Sequence, residues 1–168
     1  GIIARQGDGL PENILPFTVN QTTQIGLDFL TSASAFGASG VALLINPQKT
    51  DEAEALRGDV ATAQAVMDGL GYAGGRYQVL DHADPEAIAT ALVQMADDKT
   101  APEPATPGNF LAMGRKRTIL NLALAHLHDH APKPVDFVEL PAGAPFGTVA
   151  IDAENCTLCL ACVGSCPT

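Results

Sequence analysis

Cys156, Cys159, Cys162 and Cys166 follow the spacing C-x2-C-x2-C-x3-C, with Pro167 directly after. The chain has no other cysteine. Thiolates in this pattern are ligands for a cubane iron–sulfur cluster. Three cysteines two residues apart wrap one turn of loop around a cluster and offer three sulfurs to three iron corners. The x3 step and the proline then turn the chain away. Two other chemistries use clustered cysteines. Zinc motifs pair two C-x2-C units across a longer gap. A disulfide scaffold does not fit an acidic chain whose first 155 residues contain no cysteine. The iron–sulfur reading outranks both.

In runs of this kind the fourth cysteine ligates a neighbouring cluster. Cys156, Cys159 and Cys162 are therefore expected to share one [4Fe–4S] cluster, and Cys166 to serve a second. The remaining ligands are expected beyond Thr168. The chain opens on Gly1 rather than Met, so it reads as a piece of a longer protein. Alone, it is expected to hold a cluster poorly or not at all.

Composition narrows the function classes. The chain has 168 residues, 46% of them hydrophobic and 5% aromatic, and a net charge of −10. That length suits one ordinary domain and part of another. No basic block exists of the kind that nucleic acid or an anionic membrane demands. No apolar run approaches the ~20 residues of a membrane span. Reduced, clustered cysteines point to a cytoplasmic location.

The elements that must position the cysteines can be placed by periodicity. Ile2-Ile3-Ala4 reads as the end of a strand. Helical spacing of Ile25, Phe29, Ala33 and Phe36 predicts a helix over 22–36, closed by Gly37. Val41-Ala-Leu-Leu-Ile45 is a continuous apolar run, suited to a strand buried on both faces. Ala53, Leu56, Val60, Ala63, Met67 and Leu70 predict a helix over 51–70, with Asp51 and Glu54 as its capping pair and Gly71 as its stop. Residues 76–80 read as a strand. Asp84-Pro85-Glu86 opens the next helix, whose stripe is Ile88, Leu92 and Met95. A proline-rich linker covers about 100–109. A helix over about 110–130 carries Met113, Leu120, Leu124 and Leu127 on one side. Val135–Leu140 alternates like a strand.

This order predicts an α/β domain over residues 1–140: a small, mostly parallel sheet of about four strands with helices on both faces. Residues 141–168 follow as a truncated iron–sulfur segment.

Three lesser signals take bland readings. Gly7-Asp-Gly9 sits where a phosphate loop would, but Glu12 stands where the third glycine belongs, and a carboxylate repels phosphate. His126, His128 and His130 close a helix. Only His126 and His130 share a face, and such histidines are expected to complement the dipole and face water. Arg115-Lys116-Arg117 is read as a solvated face. No G-x-S-x-G elbow proposes hydrolysis.

The segments Gly9–Pro16, Gly37–Leu44 and Leu70-Gly-Tyr72 with Arg76 resemble the delta subunit of methyl-viologen-reducing hydrogenase. That resemblance covers roughly residues 9–95. It implies a small α/β scaffold that passes electrons toward a heterodisulfide reductase. The family's Cys-His pair after the strand is replaced here by Asn46-Pro47, so its cluster does not carry over. The tail from Phe146 to Thr168 looks like the first half of a bacterial two-cluster ferredoxin. The combination resembles the middle of a larger ferredoxin-type protein associated with formate dehydrogenase or related redox systems. The expected function is electron transfer through [4Fe–4S] clusters to an unidentified redox protein partner, with the α/β domain as docking and structural module. The alternative is an α/β domain that binds a small molecule or nucleotide and receives electrons from the ferredoxin segment.

Overall fold

The computed structural model describes residues 9–72, 74, 76–98, 106–147 and 150–165. The expected strand at Ile2–Ala4, Gly7 and Asp8, most of the proline-rich linker, Thr148 and Val149, and Cys166 lie outside these residues.

A 3-10 turn, Thr22–Gln24, precedes helix α1, Leu27–Ala35. Strand β1, Val41–Leu44, follows, then helix α2, Thr50–Gly69. Strand β2 is Tyr77–Leu80, helix α3 Pro85–Asp97, helix α4 Lys116–Asp129 and helix α5 Ala161–Ser165. β1 and β2 pair in parallel, from Val41 opposite Tyr77 to Leu44 opposite Leu80. Parallel neighbours need a long crossover, and α2 is that crossover. The ladder extends at both ends, where Val41 N–H donates to Arg76 O at 2.7 Å and Ile45 N–H to Leu80 O at 3.0 Å. The coarse class is mixed α/β. Among the described residues the sheet has two strands rather than about four.

Val135–Leu140 forms no strand among the described residues. A strand needs a partner ladder, and the chain just before this segment is tied to a helix end instead: Lys133 N–H bonds Leu70 O, just past α2, at 3.0 Å. Its burial is not alternating either. Val135 and Leu140 are half-buried against the core and Val138 is half-buried, whereas Phe137 is 79% exposed. Val138 packs so closely on Gly69 that a Cβ there would lie 2.6 Å from its Cγ1.

Two helix stops follow from glycine. At Gly37, φ is +99, Ala38 N–H reaches Ala33 O and Gly37 N–H reaches Ser34 O. At Gly71, φ is +85, Tyr72 N–H reaches Met67 O and Gly71 N–H reaches Asp68 O. Both are Schellman closures, which require the left-handed conformation glycine tolerates. α3 begins as its sequence dictates, with Asp84 accepting from Glu86 N–H at 3.1 Å and Pro85 at the first position.

Three helix starts differ from expectation. Residues 22–36 are not one helix, because Gly26 is extended and caps α1. α2 has no side-chain cap at Lys49, and its Glu52 instead accepts from Lys49 Nζ at 2.7 Å and Thr22 Oγ1 at 2.6 Å. α4 starts six residues late, since Gly114 at φ +105 breaks the helical path and leaves Met113 66% exposed.

The core lies where α1, α2 and α4 meet β1. Leu30, Ala63, Met67, Tyr72, Ala123 and Leu127 are fully enclosed. A side chain such as Leu127 contributes about 1.5–3 kcal/mol by leaving water. Several polar groups in this core find partners, whereas the buried Ser32 hydroxyl has no hydrogen bond among the described residues. Ser34 Oγ and Tyr77 Oη are 2.7 Å apart, and Tyr72 Oη donates to Leu127 O at 2.9 Å. The buried Arg76 guanidinium donates from Nη1 to Ser39 O at 3.2 Å and stands 5.6 Å from the Tyr72 ring centroid. No described helix is long and apolar enough to cross a membrane.

Candidate functional site

The cysteines are presented by a short, solvent-facing segment. Asp152 organises its entrance. Its Oδ1 accepts from Glu154 N–H at 3.1 Å and its Oδ2 from Asn155 Nδ2 at 2.6 Å. The Asn155 side chain, then the backbone N–H groups of Glu154 and Asn155, hold its carboxyl below the usual carboxylate range. Such a side-chain-to-backbone turn is the ordinary use of aspartate in a loop. It sets the direction in which Cys156 leaves.

Cys156, Cys159 and Cys162 are free and exposed. Leu158 and Leu160, which flank Cys159, adopt φ of +56 and +57. Left-handed backbone costs a non-glycine residue about 1–2 kcal/mol. Two such residues in three positions make a tight curl, with Cys159 at its centre. Strain of this sort collects at ligand loops, where another interaction must sustain it. The curl ends at α5, in which Val163 N–H returns to Leu160 O at 3.1 Å.

The curl also aims donors at sulfur. The Ala161 backbone N–H and then the Thr157 hydroxyl hold the Cys159 thiol below its ordinary range. Hydrogen bonds to the charged form favour thiolate, and thiolate is the metal-ligating species. In the same segment, Ile151, Leu158, Leu160 and Val163 expose most of their apolar surface.

The donor chemistry and the loop backbone suit iron–sulfur ligation. The three thiols are close in sequence and share one curl, but they are not gathered on a point. Among the described residues, no three His, Cys, Asp or Glu side chains are grouped to hold a single metal ion. A tetrahedral zinc with bonds of about 2.3 Å would need them gathered. A cubane spreads its irons over separate corners, so its thiolates stand further apart. Cys166 lies outside the described residues.

The lesser signals are placed as follows. Gly9 has φ +88 with open space around it, and Glu12 is exposed. His128 and His130 face water, but His126 is half-buried beside Phe110, with ring centroids 6.2 Å apart. Lys116 is not merely solvated. Its Nζ donates to Gln24 O at 3.1 Å and stands 3.9 Å from Asp28 Oδ1. Asp59 completes this cluster near Gly26. Burial, then the Asp28 charge, raises the Asp59 carboxyl, against the pull of Lys116. Asp59 also lines a shallow groove of about 260 Å³ between α2 and Pro141–Pro145. Sequence reasoning missed this cluster, because its members lie on four elements and share no motif. It also missed the buried Arg76, for which the only signal was a cation at the head of an apolar strand.

No protein-family model matches the chain, and no curated protein or solved structure shows significant similarity to it.

Proposed function

We propose that this chain belongs to an electron-transfer protein. Cys156, Cys159 and Cys162 would hold one [4Fe–4S] cluster, and Cys166 would ligate a second. The observation that carries this reading is the cysteine run itself, curled by two left-handed leucines around Cys159. When bound, such a cluster supplies one-electron transfer at a potential set partly by hydrogen bonds to sulfur. The Ala161 N–H and Thr157 hydroxyl are the groups on this chain that perform that tuning. The exposed Leu158, Leu160 and Val163 would exclude water once covered. The α/β domain serves as scaffold and docking module for a redox protein partner, in a cytoplasmic setting that keeps the thiols reduced.

Iron and sulfide analysis after anaerobic reconstitution tests the proposal. The 168-residue chain is expected to retain iron below stoichiometry. A chain extended past Thr168 by a second C-x2-C-x2-C-x3-C run is expected to retain two four-iron clusters. A stable four-iron cluster in the shorter chain would reassign Cys166 to the first cluster. No iron in either chain would refute the electron-transfer reading.

A further inference from the structure

The two histidines that share a face of α4 are arranged in a way their position alone does not require. His126 and His130 stack, with ring centroids 4.2 Å apart and planes 29° apart. Each ring has one nitrogen committed to a backbone carbonyl. His126 Nε2 lies 2.9 Å from Thr106 O, and His130 Nδ1 lies 2.9 Å from His126 O. A carbonyl only accepts, so both of these nitrogens carry hydrogen. In the neutral rings the lone pairs then belong to His126 Nδ1 and His130 Nε2. Among the described residues no hydrogen bond engages either atom.

We propose that His126 and His130 form a two-imidazole site for a divalent transition-metal ion at the C-terminal end of α4. Metal-ligating histidines characteristically donate their second ring N–H to a carbonyl or carboxylate, which fixes tautomer and orientation. Both rings already have that partner. Histidines four residues apart on one helix face can reach a single ion at bond lengths of about 2.0–2.1 Å. Imidazole suits zinc, copper and nickel. A cation at this end also complements the helix dipole. The Phe110 ring lies beside His126, centroids 6.2 Å apart and tilted by 52°, and the Thr106 carbonyl holds the His126 ring from the other chain segment. Water completes the coordination. His128 is left out: it lies two residues from each, on another face, with Nδ1 3.7 Å from Asp129 Oδ1. This site shares no residue with the cysteine curl and stands apart from the electron-transfer proposal.

The test uses the full chain with its thiols alkylated by N-ethylmaleimide, so that cysteine cannot bind the probe. Zn2+, and separately Ni2+, is titrated calorimetrically. One ion per chain is expected. His130→Gln and His126→Gln should each weaken binding by about tenfold or more, the scale on which losing a coordination-shell partner is felt. His128→Gln should bind as the parent does. Zn2+ should raise the thermal midpoint of the parent and of His128→Gln but not of the His126→Gln/His130→Gln double variant. His130 is exposed, so its variant keeps the test valid even if His126→Gln loosens the helix end. The proposal is overturned by absence of saturable binding in the alkylated parent, by undiminished binding in His130→Gln, or by an equal loss in His128→Gln.

Discussion

The Tyr72 hydroxyl donates a 2.9 Å hydrogen bond to the backbone carbonyl of Leu127, 55 residues away. Leu127 lies in the last turn of α4, where carbonyls have no helical donor. One side chain just past α2 thus satisfies the end of α4 inside the core. Tyr72→Phe removes that donor and leaves the carbonyl buried. Urea unfolding should show a loss of about 1–3 kcal/mol. An unchanged midpoint would mean that water or relaxation serves the carbonyl equally well.

The two glycine stops should respond unequally to alanine. Both are left-handed, so each substitution costs about 1–2 kcal/mol in backbone strain. A Cβ at Gly37 meets only Pro107 Cγ at 3.9 Å, whereas one at Gly71 meets Lys133 Cβ at 3.0 Å and its backbone nitrogen at 3.2 Å. Gly71→Ala is therefore expected to lower the thermal midpoint further than Gly37→Ala. The reverse order would refute the close packing of Lys133 on that turn.

Two carboxyls should act on pH stability with opposite signs. Asp59 is raised, chiefly by burial, so its favourable contribution is present below its unfolded value and is lost as pH rises through its folded value. Asp59→Asn should raise the thermal midpoint near neutral pH, with the gain vanishing by about pH 3. Glu52 is lowered, first by Lys49 and then by Thr22. Its contribution is present above its unfolded value and is lost as pH falls through its folded value. Glu52→Gln should lower the midpoint near neutral pH and do little by about pH 3. Midpoints of both variants measured across pH decide the matter; parallel profiles would contradict these assignments.

The left-handed leucines give a local test of the cysteine curl. Glycine adopts φ of +57 without steric cost, so Leu160→Gly should keep the curl and remove strain. In the extended chain described above, iron retained after reconstitution should equal or exceed that of the parent. Leu160→Val should retain less, because a β-branched side chain resists this conformation. Equal retention by glycine and valine would show that the curl does not form around bound iron.

What the sequence by itself determined is short in range. Gly37 and Gly71 stop helices, and Asp84-Pro85 starts one, because caps depend on a few neighbouring backbone groups. The apolar runs at Val41 and Tyr77 became parallel partners because a twenty-residue amphipathic helix between them leaves that route open. The spacing of Cys156, Cys159 and Cys162 is likewise a statement about neighbours. Tertiary structure decided the rest. Val135–Leu140 has a strand's composition, yet Val138 packs on Gly69, so the segment meets a helix end instead of a ladder. Lys116 was drawn from a solvated run to Gln24 and Asp28 by the packing of α4 on α1. His126 was turned toward Thr106 and Phe110 by a segment 20 residues upstream. Each of these outcomes depends on which surface arrives opposite a residue, and periodicity along one element carries no record of that surface.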